Sequence, residues 1–362
     1  MNRHIDKLII SATVLLLGLS LIMVYSTTAL RTPEAQGHNT AFAIRHLGSI
    51  VIGLVGMFSL SYISPLNMRR FARPLMIIGL VLLVMVLIPG IGYEAGGAKR
   101  WISLPGTRFQ PSEFFKIIIV LYFADYISRH ESQMNRFSRG IVVPVILLGL
   151  ISVLLLLEPD FGSTAVISGV VFCMLMTSAR VGHLLLLACG GLASLLAVSL
   201  AASYRLQRWQ TFLDPFKDPK NAGYQLIQSL IAVGSGGLFG VGLGSSTQKL
   251  YYLPAAHTDF IFAVIAEELG LLGAIFCLLV YLLLGYRGFV LVKKNVEDPF
   301  MLNLALGCTL LICIPAVLNI GVVLGLLPTK GLVLPLVSYG GTAMVANLLV
   351  IGVLLSVSRY SD

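Results

Sequence analysis

The chain has 362 residues, of which 57% are hydrophobic and only 11% charged, where a water-soluble domain carries about a quarter charged residues. No hydrophilic stretch is long enough for a separate soluble domain, so residues 1–362 read as one transmembrane domain. The formal net charge of +9 lies mainly in loops between apolar stretches, with no zinc-finger spacing or RNA-binding aromatic motif. That distribution points to anionic lipid and membrane orientation, and away from nucleic acid.

Taken in chain order, apolar stretches of about 20 residues predict spans at roughly 8–30, 44–64, 74–90, 111–128, 141–157, 163–180, 182–203, 260–286, 301–325 and 333–357. The first is too long for a signal-peptide core and lacks a cleavage signature, so it is read as retained. The fourth opens at Pro111, which suits a first helical turn. The expected fold class is an all-α polytopic membrane protein. It has about ten transmembrane helices, with a long extracytoplasmic loop over about 204–259 between helices 7 and 8. No fixed-period internal repeat is visible. Arg3, Lys7, Arg69, Arg70, Arg73, Arg129, Arg136, Arg139, Arg180, Arg287, Lys293, Lys294 and Arg359 all fall on the side of the N-terminus. The positive-inside rule then places both termini in the cytoplasm. Lys99, Arg100 and Arg108 are the exceptions on the outer side.

The long loop mixes Tyr204, Arg205, Arg208, Trp209, Phe212, Tyr224 and Gln225, then turns glycine-rich from Gly234 to Gly244. It is too apolar for simple disorder, and parts of it are expected to lie in the interface or re-enter the membrane. The glycines form no phosphate loop, since Gly-x-x-x-x-Gly-Lys-Ser/Thr is missing; they read as close turns. Cys173, Cys189, Cys277, Cys308 and Cys313 all fall in apolar stretches without Cys-x-x-Cys spacing, and are expected to be buried small hydrophobes.

Five polar clusters stand out on the outer side. Asp259, in Leu253-Pro254-Ala255-Ala256-His257-Thr258-Asp259-Phe260, sits where the loop meets an apolar helix, with Glu267 and Glu268 a little over two turns on. A carboxylate at the edge of a bilayer is costly and marks function by default, although Asp also serves as a helix N-cap. Arg100, in Gly96-Gly97-Ala98-Lys99-Arg100-Trp101, can clamp a phosphate with its planar fork or anchor the interface. Glu113 and Lys116 share a helix face at i,i+3, which suggests an inward-facing ion pair with a binding or a packing role. Asp160, in Glu158-Pro159-Asp160-Phe161-Gly162, suits a cation, a neighbouring Arg or a plain turn. Lys330 precedes Gly331, Pro335 and Ser338-Tyr339-Gly340-Gly341 in an irregular segment. Such backbone is tolerated at membrane depth only when buried in protein or lining a wet cavity. Lys330 suits a phosphate or a lipid headgroup. Carboxylates and cations facing one outer cavity fit sugar transfer from a lipid diphosphate. The cations steady the leaving diphosphate, a carboxylate removes the acceptor proton, and a divalent cation such as Mg or Mn is an admissible helper.

These motifs, in this order and over nearly the whole chain, resemble the SEDS (shape, elongation, division, sporulation) family of bacterial membrane glycosyltransferases. Gly97-Ala98-Lys99-Arg100-Trp101, Gln110-Pro111-Ser112-Glu113 with Lys116, Glu158-Pro159-Asp160-Phe161-Gly162, His257-Thr258-Asp259-Phe260 and Ser338-Tyr339-Gly340-Gly341 are similar to the family's signatures. The segment from Leu253 to Ala263 looks more like the division members than the elongation members, with a sporulation paralogue as an alternative. The resemblance implies polymerisation of lipid II, the undecaprenyl-diphosphate-linked disaccharide peptide, at the outer face of the cytoplasmic membrane and at the division septum. It implies a class B penicillin-binding protein transpeptidase and other division proteins as partners. Asp259 is then the essential carboxylate, with Arg100, Glu113, Lys116, Asp160, His257 and Lys330 lining the substrate cavity. A flippase for the lipid-linked precursor is the main alternative, and a non-catalytic scaffold is another. The inner halves of the spans look mostly apolar, which disfavours a flippase.

Overall fold

An apolar stretch in hydrocarbon satisfies its backbone N–H and C=O groups only by coiling into a helix. The computed structural model of the protein describes residues 5–28, 39–95, 98–104, 107–200, 203–221, 223–253, 255–329 and 331–361. The helices run α1 (Lys7–Thr28), α2 (Asn39–Tyr62), α3 (Pro65–Leu87), α4 (Pro111–His130), α5 (Val143–Leu157), α6 (Phe161–Leu175), α7 (Val181–Leu200), α8 (Ser203–Leu213), α9 (Tyr224–Ser235), α10 (Gln248–Tyr251), α11 (Ile261–Lys294), α12 (Pro299–Val323) and α13 (Gly341–Tyr360). Without α8, α9 and α10 these follow the expected order of ten. Among the described residues, α1, α2, α3, α5 with its leading π turn, α11, α12 and α13 are long and apolar enough to span a bilayer. The apolar part of α6 and of α7 is shorter. Helix α4 carries Glu113, Lys116, Asp125 and Arg129 within its length.

Several expected boundaries move. The third span starts at Pro65, not near 74, because the Ser64 hydroxyl accepts the Asn67 N–H at 3.3 Å and proline suits the first turn. Arg69, Arg70 and Arg73 therefore ride on the helix. The last helix starts at Gly341, not 333, leaving 331–340 irregular. The second outer loop holds a small antiparallel sheet of β1 (Gly92–Ala95), β2 (Ala98–Leu104) and β3 (Thr107–Phe109) that hydropathy does not reveal. Tyr93 pairs with Trp101 and Ile102 with Phe109, and the Thr342 hydroxyl donates to the Arg108 carbonyl at 3.0 Å, tying the sheet to α13. Cys277 and Cys308 are buried as expected, but Cys189 is exposed on α7, a helix with few neighbours.

Helix α11 is the element that shapes the site. It breaks at Gly270 (φ 68°, ψ −166°), about 14 Å along from Ile261 at roughly 1.5 Å per residue and so near half of a hydrocarbon layer of about 30 Å. A break at that depth frees backbone groups that water cannot serve. Chain from the long loop serves them. Val241 and Gly242 N–H donate to the carbonyls of Glu267 (3.0 Å) and Glu268 (3.2 Å), while Leu271 and Leu272 N–H donate to the carbonyls of Gly237 (2.9 Å) and Leu238 (3.3 Å). The close approach requires glycine, since a Cβ on Gly270 would lie 2.3 Å from the Gly240 nitrogen. The expectation of a re-entrant part in this loop thus has a physical form: a hairpin-like segment woven into a broken helix.

Around this element, α1, α12 and α9 pack on α11, α4 lies among α3, α6 and α12, and α2 runs along α13. The end opposite the sheet is pinned by ion pairs. Asp6 Oδ2 meets Arg287 Nη2 at 2.6 Å. Asp125 takes Arg69 at 2.9 Å and Arg129 at 2.7 Å. The Asp6 N–H donates to Ser358 Oγ at 3.2 Å, so the described ends of the chain lie on one face.

Candidate active site

Asp259 does not cap α11. Phe260 holds the N-cap position, with no side-chain hydrogen bond, and the partly buried Asp259 carboxylate is left for other work. Its backbone is gripped from three sides. Asn319 Nδ2 of α12, buried in a mostly apolar helix, donates to the carbonyls of Asp259 (2.7 Å) and Leu332 (2.6 Å). Ser338 Oγ donates to the Thr258 carbonyl at 2.5 Å, and Tyr339 N–H to the His257 carbonyl at 2.9 Å. Gly331 lies against the carboxylate itself: a Cβ there would stand 3.2 Å from Asp259 Oδ2. The turn is strained, with Ala255 at φ 56° and Leu336 at φ 63°, a cost of about 1–3 kcal/mol per residue that persists only where surroundings over-determine it. The segment 331–340 is in turn held from below. Tyr281 OH donates to the Pro335 carbonyl, and Ser20 Oγ to the Val337 carbonyl at 2.8 Å. Burial pushes the Asp259 carboxyl up to about 6, against the pull of the Arg208 and Arg100 guanidiniums.

Arg100, on β2, reaches the turn between α5 and α6. Its Nε donates to the Glu158 carbonyl at 3.1 Å and its Nη2 to the Pro159 carbonyl. Two of its five N–H donors serve that turn among the described residues, and its charge is felt at Asp259. Asp160 is the N-cap of α6, accepting the Ser163 N–H at 3.1 Å, and Ser112 Oγ lies 3.4 Å from its Oδ2. Capping was not among the readings open at Asp160, and the neighbouring Arg100 grips the same turn through carbonyls instead of the carboxylate. Glu158 is fully buried, and neither carboxylate oxygen has a hydrogen-bond partner. Burial and the neighbouring Asp160 push it up to about 8, with Arg100 acting the other way. It therefore holds its proton at neutral pH.

One turn along α4 from Ser112, Lys116 Nζ meets Glu113 Oε1 at 2.7 Å, with only 13% and 10% of the two side chains exposed. The ion pair expected from the i,i+3 spacing forms. His257 stands in an aromatic group with Tyr339 (ring centroids 5.7 Å apart) and Phe42 (6.4 Å). Lys330, Pro254, Gly96 and Gly97 lie outside the described residues. Asp259, Arg100 and Asp160 thus converge through the α5–α6 turn, with Glu113 and Lys116 one helical turn away. Arg208, whose Nη1 donates to the Thr329 carbonyl at 3.3 Å, joins them although the sequence marks it only as one basic residue in a long loop. Asn319 was missed too; an amide near the end of the apolar run 310–323 of α12 is the signal that could have found it. Among the described residues, no three His, Cys, Asp or Glu side chains come together to hold a metal ion.

The profile of the FtsW, RodA and SpoVE family, described as cell cycle proteins, matches residues 6–362. The chain belongs to this family. It is 39% identical over 357 residues to the stage V sporulation protein E of Bacillus subtilis, covering 98% of this chain and 97% of that one. It is 41% identical over 361 residues to a probable peptidoglycan glycosyltransferase FtsW of Coxiella burnetii, covering 99% and 97%. Among solved structures, it superposes with TM-score 0.81 and 30% identity on a chain of a peptidoglycan synthase complex studied for how polymerization and crosslinking are coordinated, with 99% of each chain covered. The rod shape determining protein RodA of Thermus thermophilus gives TM-score 0.73 and 27% identity, covering 99% and 98%. The SEDS resemblance read from five motifs is therefore correct, as is the polytopic helical fold.

Proposed function

We propose that this member of the FtsW, RodA and SpoVE family is a peptidoglycan glycosyltransferase that polymerises lipid II into glycan strands. The observation that carries the chemistry is the placement of Asp259: its backbone clamped by Asn319, Ser338 and Tyr339, its side chain free of capping duty, and within reach of the charges of Arg208 and Arg100. The Asp259 carboxylate takes the proton from a hydroxyl of the acceptor sugar, by family analogy the 4-hydroxyl. The oxygen attacks the anomeric carbon of the donor, the bond to the diphosphate breaks, and the lipid diphosphate leaves with its electron pair. Arg100, Arg208 and Lys116, with Lys330 from the sequence pattern, stabilise that charge. Glu113 and Asp160 orient the cations and the turn that carries them, and His257 lines the cavity beside them. A divalent cation, where one takes part, would be held by a cavity carboxylate, Asp160 or Asp259, and would supply charge neutralisation to the leaving diphosphate.

The basic loops support cytoplasmic termini, which puts the site at the outer face. Likeness to a synthase complex supports a class B penicillin-binding protein as partner. Names of both division and sporulation type among the relatives support work at a septum with other division proteins. The test is glycan-chain formation from lipid II by the purified protein, wild type beside Asp259→Asn, each with and without the transpeptidase. Polymer from wild type alone is expected, with the loss exceeding about 100-fold for a missing general base. Polymer from Asp259→Asn at wild-type rate rejects the assignment. No polymer from either, with the partner bound, moves the reading to a flippase or scaffold.

A further inference from the structure

Two acidic residues unused by this chemistry sit side by side on α11, roughly 10 Å along the helix from Ile261. Glu267 and Glu268 are each 1% exposed. Glu268 receives Lys249 Nζ at 2.5 Å and the Ser26 hydroxyl of α1 at 2.7 and 2.8 Å, and Lys249 Nζ also reaches Ser26 Oγ at 2.8 Å. The Lys249 and Glu268 side chains are 1% and 0% exposed. Glu267 accepts the Ser246 hydroxyl and the N–H and hydroxyl of Thr247 at 3.0 and 3.3 Å.

Such a cluster is a poor stability device. A buried ion pair often gives way to apolar residues of similar volume without loss, because desolvating two charges offsets their attraction, and charges at membrane depth mark function. What this pair does achieve is closure. Lys249 and Glu268 lie 19 residues apart, and Asp259 is near the middle of the ring they close. Inside that ring the chain runs from α10 through the strained turn at Ala255 to the start of α11. The pairs from Glu267 to Ser246 and Thr247 close it a second time. Asn319 and Ser338 fix the ring's midpoint from outside; the two glutamates fix its ends.

We propose that Lys249 and Glu268, seconded by Ser246 and Glu267, are positioning residues: a polar latch that closes segment 249–268 into a ring and so sets where the Asp259 carboxylate stands. The proposal rests on the reading that Asp259 carries the reaction, and the experiment separates the two. Full-length protein with its transpeptidase is compared as wild type, Glu268→Gln, the volume-keeping double Lys249→Met/Glu268→Met, the swap Lys249→Glu/Glu268→Lys, and Asp259→Asn. Amide hydrogen exchange over 250–260 and the kcat and KM for lipid II polymerisation are measured. Exchange over 250–260 accelerates in Glu268→Gln and in the Met double and is slowed again in the swap. Their kcat falls about 10- to 100-fold, the scale of a misplaced reacting group, while KM stays near wild type, and the swap recovers part of kcat. Wild-type protection of 250–260 in the Met double overturns the latch, whatever its activity. Should Glu268→Gln fail to accumulate, the Met double, which leaves no lone buried charge, decides alone. An active Asp259→Asn refutes the base assignment without touching the exchange result.

Discussion

In the proposed reaction Asp259 serves as base only when ionised, so its environment would set the lower pH limit of activity. With the carboxyl pushed up to about 6 by burial, kcat for polymerisation falls to half near pH 6 on the acid side, well above the ordinary 3.8. Arg208→Ala removes the larger of the two charges that hold the carboxyl down, so its acid limb moves to higher pH; a pH–rate profile of both proteins checks the direction. Glu158 is a second case with the opposite use. Its carboxyl ordinarily titrates at 4.5 and in the fold near 8. Between those values the unfolded chain sheds a proton that the folded protein keeps, so this residue's contribution to stability falls as pH rises, by at most about 1.36 kcal/mol per pH unit. Glu158→Gln abolishes that titration, and its melting temperature relative to wild type rises from pH 5 to pH 8; an unchanged difference across that range refutes the buried acid. At this scale the sequence was legible where a charged residue interrupts a motif, as at Asp259, Arg100 and Glu113. It was mute where the partner is a distant carbonyl, as for Asn319, or a charge brought back by a loop, as for Arg208.

Helix α11 is continuous in hydropathy and broken in fact. Nothing local marks the break: Leu269-Gly270-Leu271 reads like any apolar helix with a tolerated glycine. The break exists because the loop at Gly237–Gly242 supplies the missing backbone partners, and long-range pairing has no local signature. Gly270→Ala forces a Cβ into left-handed backbone and onto the Gly240 nitrogen. The strain is about 1–3 kcal/mol before the clash is relieved, and the melting temperature falls accordingly. A wild-type melting curve for that variant rules out the weave. The helix starts fared better on paper. Pro111 announces α4 through first-turn chemistry, whereas α6 was expected from 163 and starts at Phe161 behind its Asp160 cap, and the start of α3 was placed too late because Arg69, Arg70 and Arg73 look like loop and are helix. The sheet β1–β3 was unreadable, its strands being only 4, 7 and 3 residues long.

Across the molecule, chemistry is concentrated at one end and anchoring at the other. Asp125, 6% exposed, gathers Arg69 and Arg129 far from the site. Those arginines are partly open to solvent, so Asp125→Asn costs only about 1–2 kcal/mol, less than breaking a fully buried pair. Its thermal midpoint drops while the pH–rate profile keeps its wild-type shape; a displaced acid limb would mean the two ends are coupled. The order of ten helices was readable because seven of them, among the described residues, are apolar units long enough to span and α4 opens at Pro111, while the meeting of five motifs at one face depends on tertiary packing. The weave between loop and helix also dictates an order of construction. During synthesis residues 236–244 emerge before α11 exists, so their pairing with Glu267, Glu268, Leu271 and Leu272 can form only once Ile261–Lys294 has been made. Leu238, Phe239, Val241 and Leu243 are exposed on the finished segment, an apolar flank suited to lipid. The weave, and with it the turn that carries Asp259, can therefore close only after α11 has been made.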